Sequence, residues 1–214
     1  MNSVINFTKM SLRNLNAIKK LALVSSAAII IASLLVGDDF SNIYLLLIIN
    51  LMAYIFTYMI MAFEDLSNID ILVAYLPVDK SDFIKSRYLL GIFGIIFGLL
   101  IYFFIYCIKN LFLQDSILNL YQMLELASMG IFCAVTSISI IIPANIGFGG
   151  IKGRMISIIA FMTPMFIGAG ISEVIKFTGK YVSSFSMTMF LISILVLFLS
   201  YKVSTFVYKR KEII

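Results

Sequence analysis

The sequence predicts an all-α integral membrane protein with six transmembrane helices. Of its 214 residues, 62% are hydrophobic and 13% are charged, whereas soluble domains are about half apolar and about a quarter charged. One globular core cannot bury this excess of apolar side chains, so lipid must surround most of the chain. We expect one transmembrane domain over residues 1–214.

Six apolar segments approach the length of about 20 residues that a helix needs to cross the hydrocarbon core. They cover approximately residues 20–36, 43–63, 88–108, 123–145, 155–175 and 184–206. Pro143 and Pro164 are expected to bend the fourth and fifth helices because proline has no N–H. Gly91, Gly94 and Gly98 recur at spacings of three and four in the third segment, which favours close helix packing and permits a dimer contact.

The basic residues predict the orientation of these helices. Thirteen of the 16 Lys and Arg residues lie in the N-terminal segment, the C-terminal end and the loops after segments two and four. Lys109, Lys176 and Lys180 are on the opposite side. The positive-inside rule therefore places both termini in the cytoplasm.

Residues 1–20 contain four basic side chains interspersed among apolar ones. This pattern is typical of an amphipathic helix lying on the inner leaflet before the first span. The alternative is a basic tail that only determines orientation.

The composition argues against a metalloenzyme and against a metal site. Histidine is absent, and Cys107 and Cys133 lie within predicted spans, where a thiol behaves as a small buried hydrophobe. The Gly-rich run 147–154 lacks the spacing of a phosphate-binding loop and predicts a tight turn between two helices. We expect no cofactor, no metal and no catalytic residue in this chain.

A charged segment, residues 64–87, separates spans two and three. It holds eight of the chain's 27 charged residues. Pro77 ends any helix that precedes it. Asp79 then occupies the position of a helix N-cap and Asp82 that of the second capping-box residue. The pattern predicts a helix that starts at Lys80 and continues into span three.

Upstream of Pro77, apolar residues recur at helical spacing. They are Ile69, Leu72, Val73 and Leu76. On an exposed loop such a stripe indicates a contact surface. The alternative is an ordinary solvated loop followed by a well-formed helix start.

The charged segment resembles a known family. Its run Tyr75-Leu76-Pro77-Val78-Asp79-Lys80-Ser81-Asp82-Phe83-Ile84, followed by Arg87-Tyr88-Leu89-Leu90-Gly91, is similar to the signature of small ABC-2-type transporter permeases. The sequence departs from the pattern at Asp79, where Ser or Thr is usual, and at Arg87, where Lys is usual.

The resemblance implies a permease subunit of an ATP-binding-cassette exporter in the bacterial cytoplasmic membrane. Its relatives export antimicrobial peptides and phenol-soluble modulins, so the expected cargo is a hydrophobic or amphipathic peptide, as in toxin secretion. ATP and magnesium would bind a separate ATPase, and a second copy or a sister permease would complete the complex. The residues expected to contact the ATPase are Asp65, Ile69, Leu72, Tyr75, Leu76, Pro77, Asp79, Lys80, Asp82 and Lys85.

Four further residues are candidates for the translocation path: Asn50, Tyr54, Tyr58 and Glu173. Asn50 lies near mid-span and must either face a cavity or hydrogen-bond another helix. Glu173 would attract a cationic peptide at the exit, or serve only as an interface charge. The alternative function is a non-transporting immunity or regulatory protein that acts by binding. An ion-coupled transporter fits least, because mid-span ionisable residues are lacking in spans two and three.

Overall fold

The structure of the chain is a computed structural model. It describes residues 2–35, 47–67, 69, 73, 75, 79–112, 120–149, 152–164, 166 and 183–210. Within the first helix and at several helix ends only the backbone is described.

The described residues form six long helical stretches. They are α1 (Asn2–Leu35), α2 (Leu47–Leu66), α3 (Lys80–Phe112), α4 (Leu120–Phe148), α5 (152–164) and α6 (Ser183–Arg210). Within α2, the turn Ile55–Met59 is a π-helix, a local widening that is frequent at functional sites.

Four helices of the described part are long and apolar enough to cross a membrane. They cover Leu47–Leu66, Lys80–Ile108, Leu126–Phe148 and Thr188–Arg210, and they correspond to predicted spans two, three, four and six. The chain is therefore a multi-pass membrane protein, as predicted. The total of six spans, and the first and fifth spans themselves, stay predictions.

The helices enclose one apolar core and present an apolar exterior. Side chains that are almost fully buried come from α2, α3, α4 and α6, among them Ile49, Tyr102, Ile138 and Tyr208. Large apolar side chains also point outward from α3 and α6, including Phe97, Phe104, Leu195 and Phe198. Such an outer surface is suited to lipid.

The glycines of α3 allow α2 to approach closely. A Cβ atom at Gly94 would lie 2.9 Å from the Cα atom of Ala53, and one at Gly98 would lie 2.9 Å from that of Ile49. The glycine stripe therefore forms an intramolecular contact with α2, where the sequence had also permitted a dimer contact.

The N-terminal residues differ from the prediction in one respect. Instead of an interfacial helix followed by a separate span, Asn2–Leu35 is a single helix of 34 residues. Phe7 and Ser11 are buried in its first half, whereas Lys9 and Arg13 are exposed. The apolar face of this half packs on the protein, against the start of α3 and the end of α2.

The described residues that flank the turn between α4 and α5 are hydrogen-bonded, since the N–H of Gly153 donates to the carbonyl of Gly149 at 3.0 Å. Gly149 adopts a φ of +54°, which favours glycine, and its N–H donates to the carbonyl of Asn145 at 3.0 Å. The Asn145 side chain donates to Ser157 Oγ at 2.9 Å. A side-chain hydrogen bond thereby joins the two helices beside the turn.

Candidate functional site: the charged segment and the bundle end

Helix α3 starts at Lys80, as the sequence predicts. The carbonyl of Asp79 accepts the N–H of Asp82 at 2.9 Å. The Asp82 carboxylate is bonded differently from a capping box: it accepts Lys85 Nζ at 2.9 Å and Ser3 Oγ at 2.5 Å. Asp82 therefore connects the first turn of α3 to the N-terminus of α1.

The two ends of the charged segment meet in a buried ion pair. The Arg87 guanidinium in α3 contacts the Glu64 carboxylate at the end of α2, and each side chain is only 3% exposed. Ser11 of α1 donates its hydroxyl to Glu64 at 2.7 Å and accepts Arg87 Nη1 at 3.0 Å. Three helices are thus joined at one buried polar cluster, which we call the Glu64–Arg87 cluster.

Aromatic rings surround this cluster. The Arg87 guanidinium lies 4.3 Å from the centre of the Phe83 ring, a cation–π contact. Phe83 packs edge-on against Phe7 of α1 at 5.6 Å and stacks on Tyr208 of α6 at 5.7 Å. Because each partner of the ion pair is only 3% exposed, water screens the pair little, which strengthens its electrostatic attraction.

The two described residues of the apolar stripe, Ile69 and Val73, face the protein rather than solvent, contrary to the expectation of an exposed surface at these two positions. Val73 is 4% exposed, and Ile69 is partly buried against the core. Burial against the bundle lowers the free energy of the fold and explains the apolar spacing without a partner. Leu72, Leu76 and Pro77 lie outside the described residues.

A different set of side chains in this region faces outward. Tyr75 is 87% exposed, Asp79 and Lys80 are exposed, and Lys85 is half exposed beside Asp82. Asp65 is partly buried at the end of α2. The outward set, Tyr75, Asp79, Lys80 and Lys85, combines an aromatic ring with charges of both signs. Tyrosine is enriched at the centre of protein interfaces, and polar residues form their rim.

The candidate path residues of α2 lie together beside α5. Tyr54 stacks on Tyr58 at 4.8 Å and lies 4.7 Å from Phe161. Asn50 is fully buried and donates its Nδ2 to the Phe161 carbonyl at 3.1 Å. Asn50 thus makes the helix–helix hydrogen bond that the sequence left as one of two alternatives. Glu173 lies outside the described residues.

A hydroxyl and a thiol of α4 support the end of α5. Pro164 has no N–H, so the carbonyl of Ala160 four residues earlier loses its helical donor. Ser137 of α4 donates to that carbonyl at 3.1 Å, and the Cys133 thiol contacts the Pro164 carbonyl at 3.3 Å. Serine in α4 therefore replaces the hydrogen bond that proline removes from α5.

The Glu64–Arg87 cluster was not among the residues predicted from the sequence. The available signal was positional: an acid and a base delimit the charged segment, and each borders an apolar run. Ser11 gave no such signal, since a single serine in an amphipathic helix is unremarkable. Only the packing of α1 across the other two helices brings it to the ion pair.

Comparison with known proteins identifies the family. Residues 9–209 match a family model described as ABC-2 family transporter protein. Searches of curated proteins and of solved structures gave no match. Members of this family are membrane subunits that normally work with an ATP-binding-cassette ATPase. Because the match covers nearly the whole chain, this protein belongs to the ABC-2 family of transporter proteins, as a permease component.

Proposed function

We propose that the chain is the permease subunit of an exporter for hydrophobic or amphipathic peptides. A separate ATPase binds ATP and magnesium and docks on the charged segment at the cytoplasmic face of a bacterial plasma membrane. Two copies of the chain, or one copy and a sister permease, enclose the path. The basic residues on one side of the predicted helices support this orientation.

The observation that carries the proposal is the Glu64–Arg87 cluster. It joins the two ends of the charged segment to each other and to α1 through Ser11. A force applied to the segment would therefore move α1, α2 and α3 together rather than bend a loop. A coupling element between an ATPase and a membrane path requires this stiffness.

The outward set of side chains provides the docking surface. Tyr75, Asp79 and Lys80 project from the segment, while Ile69 and Val73 anchor it to the bundle. An exposed aromatic ring is the kind of side chain that dominates binding energy at protein interfaces.

The aromatic group of α2 and α5 supports a peptide cargo. Tyr54, Tyr58 and Phe161 are partly exposed rings on adjoining helices. Tyr58 lies within the π-helical turn of α2, and Tyr54 directly precedes it. Apolar and aromatic surfaces fit the apolar face of an amphipathic peptide better than they fit a sugar or an ion.

Docking is tested by co-purification with a candidate ATP-binding-cassette ATPase from the same organism. Tyr75→Ala combined with Lys80→Glu should abolish co-purification and peptide-stimulated ATP hydrolysis. Lys209→Glu, an exposed charge change in the last turn of α6, is the matched control and should bind normally. Normal assembly and coupling after both Tyr75→Ala with Lys80→Glu and Asp79→Ala would refute the docking surface.

Cargo is tested in lipid vesicles that contain the complex. An amphipathic helical peptide should stimulate ATP hydrolysis, and a hydrophilic peptide of equal length should not. Peptide binding without any ATPase partner would favour the alternative, an immunity or regulatory protein that acts by binding alone.

A further inference from the structure

Pro143 creates an unpaired carbonyl inside α4. Proline has no N–H, so the carbonyl of Ser139 four residues earlier lacks its helical donor. An unpaired carbonyl is costly in a membrane interior. Ser200 of α6 donates its hydroxyl to the Ser139 carbonyl at 2.8 Å. The bond joins α6 to α4 at the position that the proline disrupts.

The direction of the neighbouring hydrogen bonds follows from counting protons. Each hydroxyl has one proton to donate, and Ser200 donates its proton to the Ser139 carbonyl. Tyr88 Oη lies 2.6 Å from Ser200 Oγ, so Tyr88 must be the donor of that bond. Ser204 Oγ lies 2.8 Å from Tyr88 Oη and must donate in turn. The chain therefore runs from Ser204 through Tyr88 and Ser200 to the Ser139 carbonyl.

Tyr88, the second member of this hydroxyl chain, lies next to the candidate functional site. Tyr88 directly follows Arg87 of the ion pair, and it is 5% exposed. Its ring also packs edge-on against Tyr201 of α6 at 5.8 Å. The residue that follows the Glu64–Arg87 cluster is thus bonded to α6, and through α6 to the proline position of α4.

We propose that Tyr88 is a positioning residue that links displacement of α3 to the proline position of α4. The proposal rests on the proposed function, in which displacement of α3 originates at the charged segment. Each hydroxyl of this hydrogen-bonded series already donates its single proton, so none can form a replacement bond. A shift of α3 relative to α6 must therefore break a bond to Tyr88 or draw Ser200 away from the Ser139 carbonyl. The carbonyl then has two states, bonded or released, and α3 selects between them.

The first test measures amide hydrogen exchange in the permease alone, in lipid nanodiscs. Tyr88→Phe keeps the ring and removes the hydroxyl, while Ser200→Ala removes the donor to α4. Both should accelerate exchange over residues 138–148 by about three- to tenfold, the factor expected for one or two lost hydrogen bonds. Ser193→Ala is the matched control, because the Ser193 hydroxyl bonds within its own helix, to the Met189 carbonyl.

The second test measures coupling in the complex with the ATPase. Tyr88→Phe should leave ATP hydrolysis near the wild-type rate and lower the peptide transported per ATP by a similar three- to tenfold factor. A merely structural role would lower hydrolysis and transport in proportion, and that result would overturn the proposal.

The proposal also fails if Tyr88→Phe leaves exchange over 138–148 unchanged while Ser200→Ala accelerates it. The exchange test requires no ATPase, so it decides the hydroxyl chain even if the ATPase does not bind. Loss of the proposed function would be visible instead in co-purification of the unaltered chain.

Discussion

At the scale of single residues, the chain places its few buried polar groups where helices must be joined. Glu64 and Arg87 are a buried pair of opposite charges, and Ser137 and Ser200 donate to the carbonyls that two prolines leave unpaired. Burial of each group is costly alone and tolerable only with its partner. Removing one partner should therefore cost more than removing both.

The ion pair provides the first prediction. Arg87→Ala leaves the Glu64 charge buried and should lower the free energy of unfolding by about 3–5 kcal/mol. Glu64→Leu combined with Arg87→Met should restore most of the lost stability, because well-packed apolar side chains can replace a buried ion pair. Thermal unfolding in detergent measures both. A double variant as unstable as Arg87→Ala would contradict this account.

Arg87→Lys separates charge from geometry. Lysine keeps the positive charge but lacks the planar guanidinium that contacts Glu64, Ser11 and the Phe83 ring together. We expect stability between that of wild type and Arg87→Ala, measured in the same unfolding experiment. Stability equal to wild type would show that charge alone suffices.

The support of α5 provides a prediction about Ser137. Ser137→Ala should lower stability by about 0.5–2 kcal/mol, since the Ala160 carbonyl is left unpaired. With Pro164→Ala in place, that carbonyl regains an N–H donor, and Ser137→Ala should cost less. The control is Thr163→Ala, which removes an exposed hydroxyl bonded within its own helix. Equal costs of Ser137→Ala in both backgrounds would disprove the compensation.

At the scale of elements, α3 has two different faces. Its glycines lie against α2, while Phe97, Leu100 and Phe104 point away from the core. Helices in lipid gain little from apolar contact alone, and close approach at small residues is what holds them together. The contact between α2 and α3 therefore depends on the glycines more than on the large side chains.

Gly94→Ala tests this contact. The added methyl would lie 2.9 Å from the Ala53 Cα atom and 2.9 Å from the Phe56 Cβ atom, so α2 and α3 must separate. We expect a loss of about 1–3 kcal/mol in thermal unfolding, as for overpacked cores. Gly147→Ala is the control, because its methyl would meet only the Val207 Cγ1 atom at 3.3 Å. Equal effects of both substitutions would contradict the packing argument.

At the scale of the whole molecule, the buried polar cluster, the outward set and most basic residues occur toward one end of the bundle. The start of α1, the end of α2 and the start of α3 meet at the Glu64–Arg87 cluster, and Tyr208 near the end of α6 packs on Phe83. The proposed orientation makes this the cytoplasmic end.

Cysteine labelling of intact cells tests the orientation. In a background of Cys107→Ser and Cys133→Ala, a membrane-impermeant maleimide should react with a single cysteine at Lys109 or Lys180. It should not react with one at Lys85, Lys152 or Lys209 until the membrane is permeabilised. Labelling of Lys85→Cys in intact cells would show that the charged segment lies outside the cytoplasm, which would exclude an ATPase there.

That the chain is a multi-pass membrane protein, and that a helix starts at Lys80, were predictable because both depend on local properties of the sequence. Apolar runs specify spans, and Pro77 followed by Asp79 specifies a helix start. The direction of the apolar stripe was not predictable. Helical spacing shows that Ile69 and Val73 share a face, but only packing shows whether that face meets the bundle or a partner.

The sequence by itself determined a multi-pass helical membrane protein, a charged segment between two spans and the resemblance to ABC-2 permeases, since composition, periodicity and short motifs are local. Only the tertiary structure decided that Glu64 pairs directly with Arg87 and that Ser11 bonds to both, and that Tyr88 connects through Ser200 to the carbonyl released by Pro143. These contacts join residues from 23 to 116 positions apart. No local pattern records them, because helix packing alone brings their side chains together.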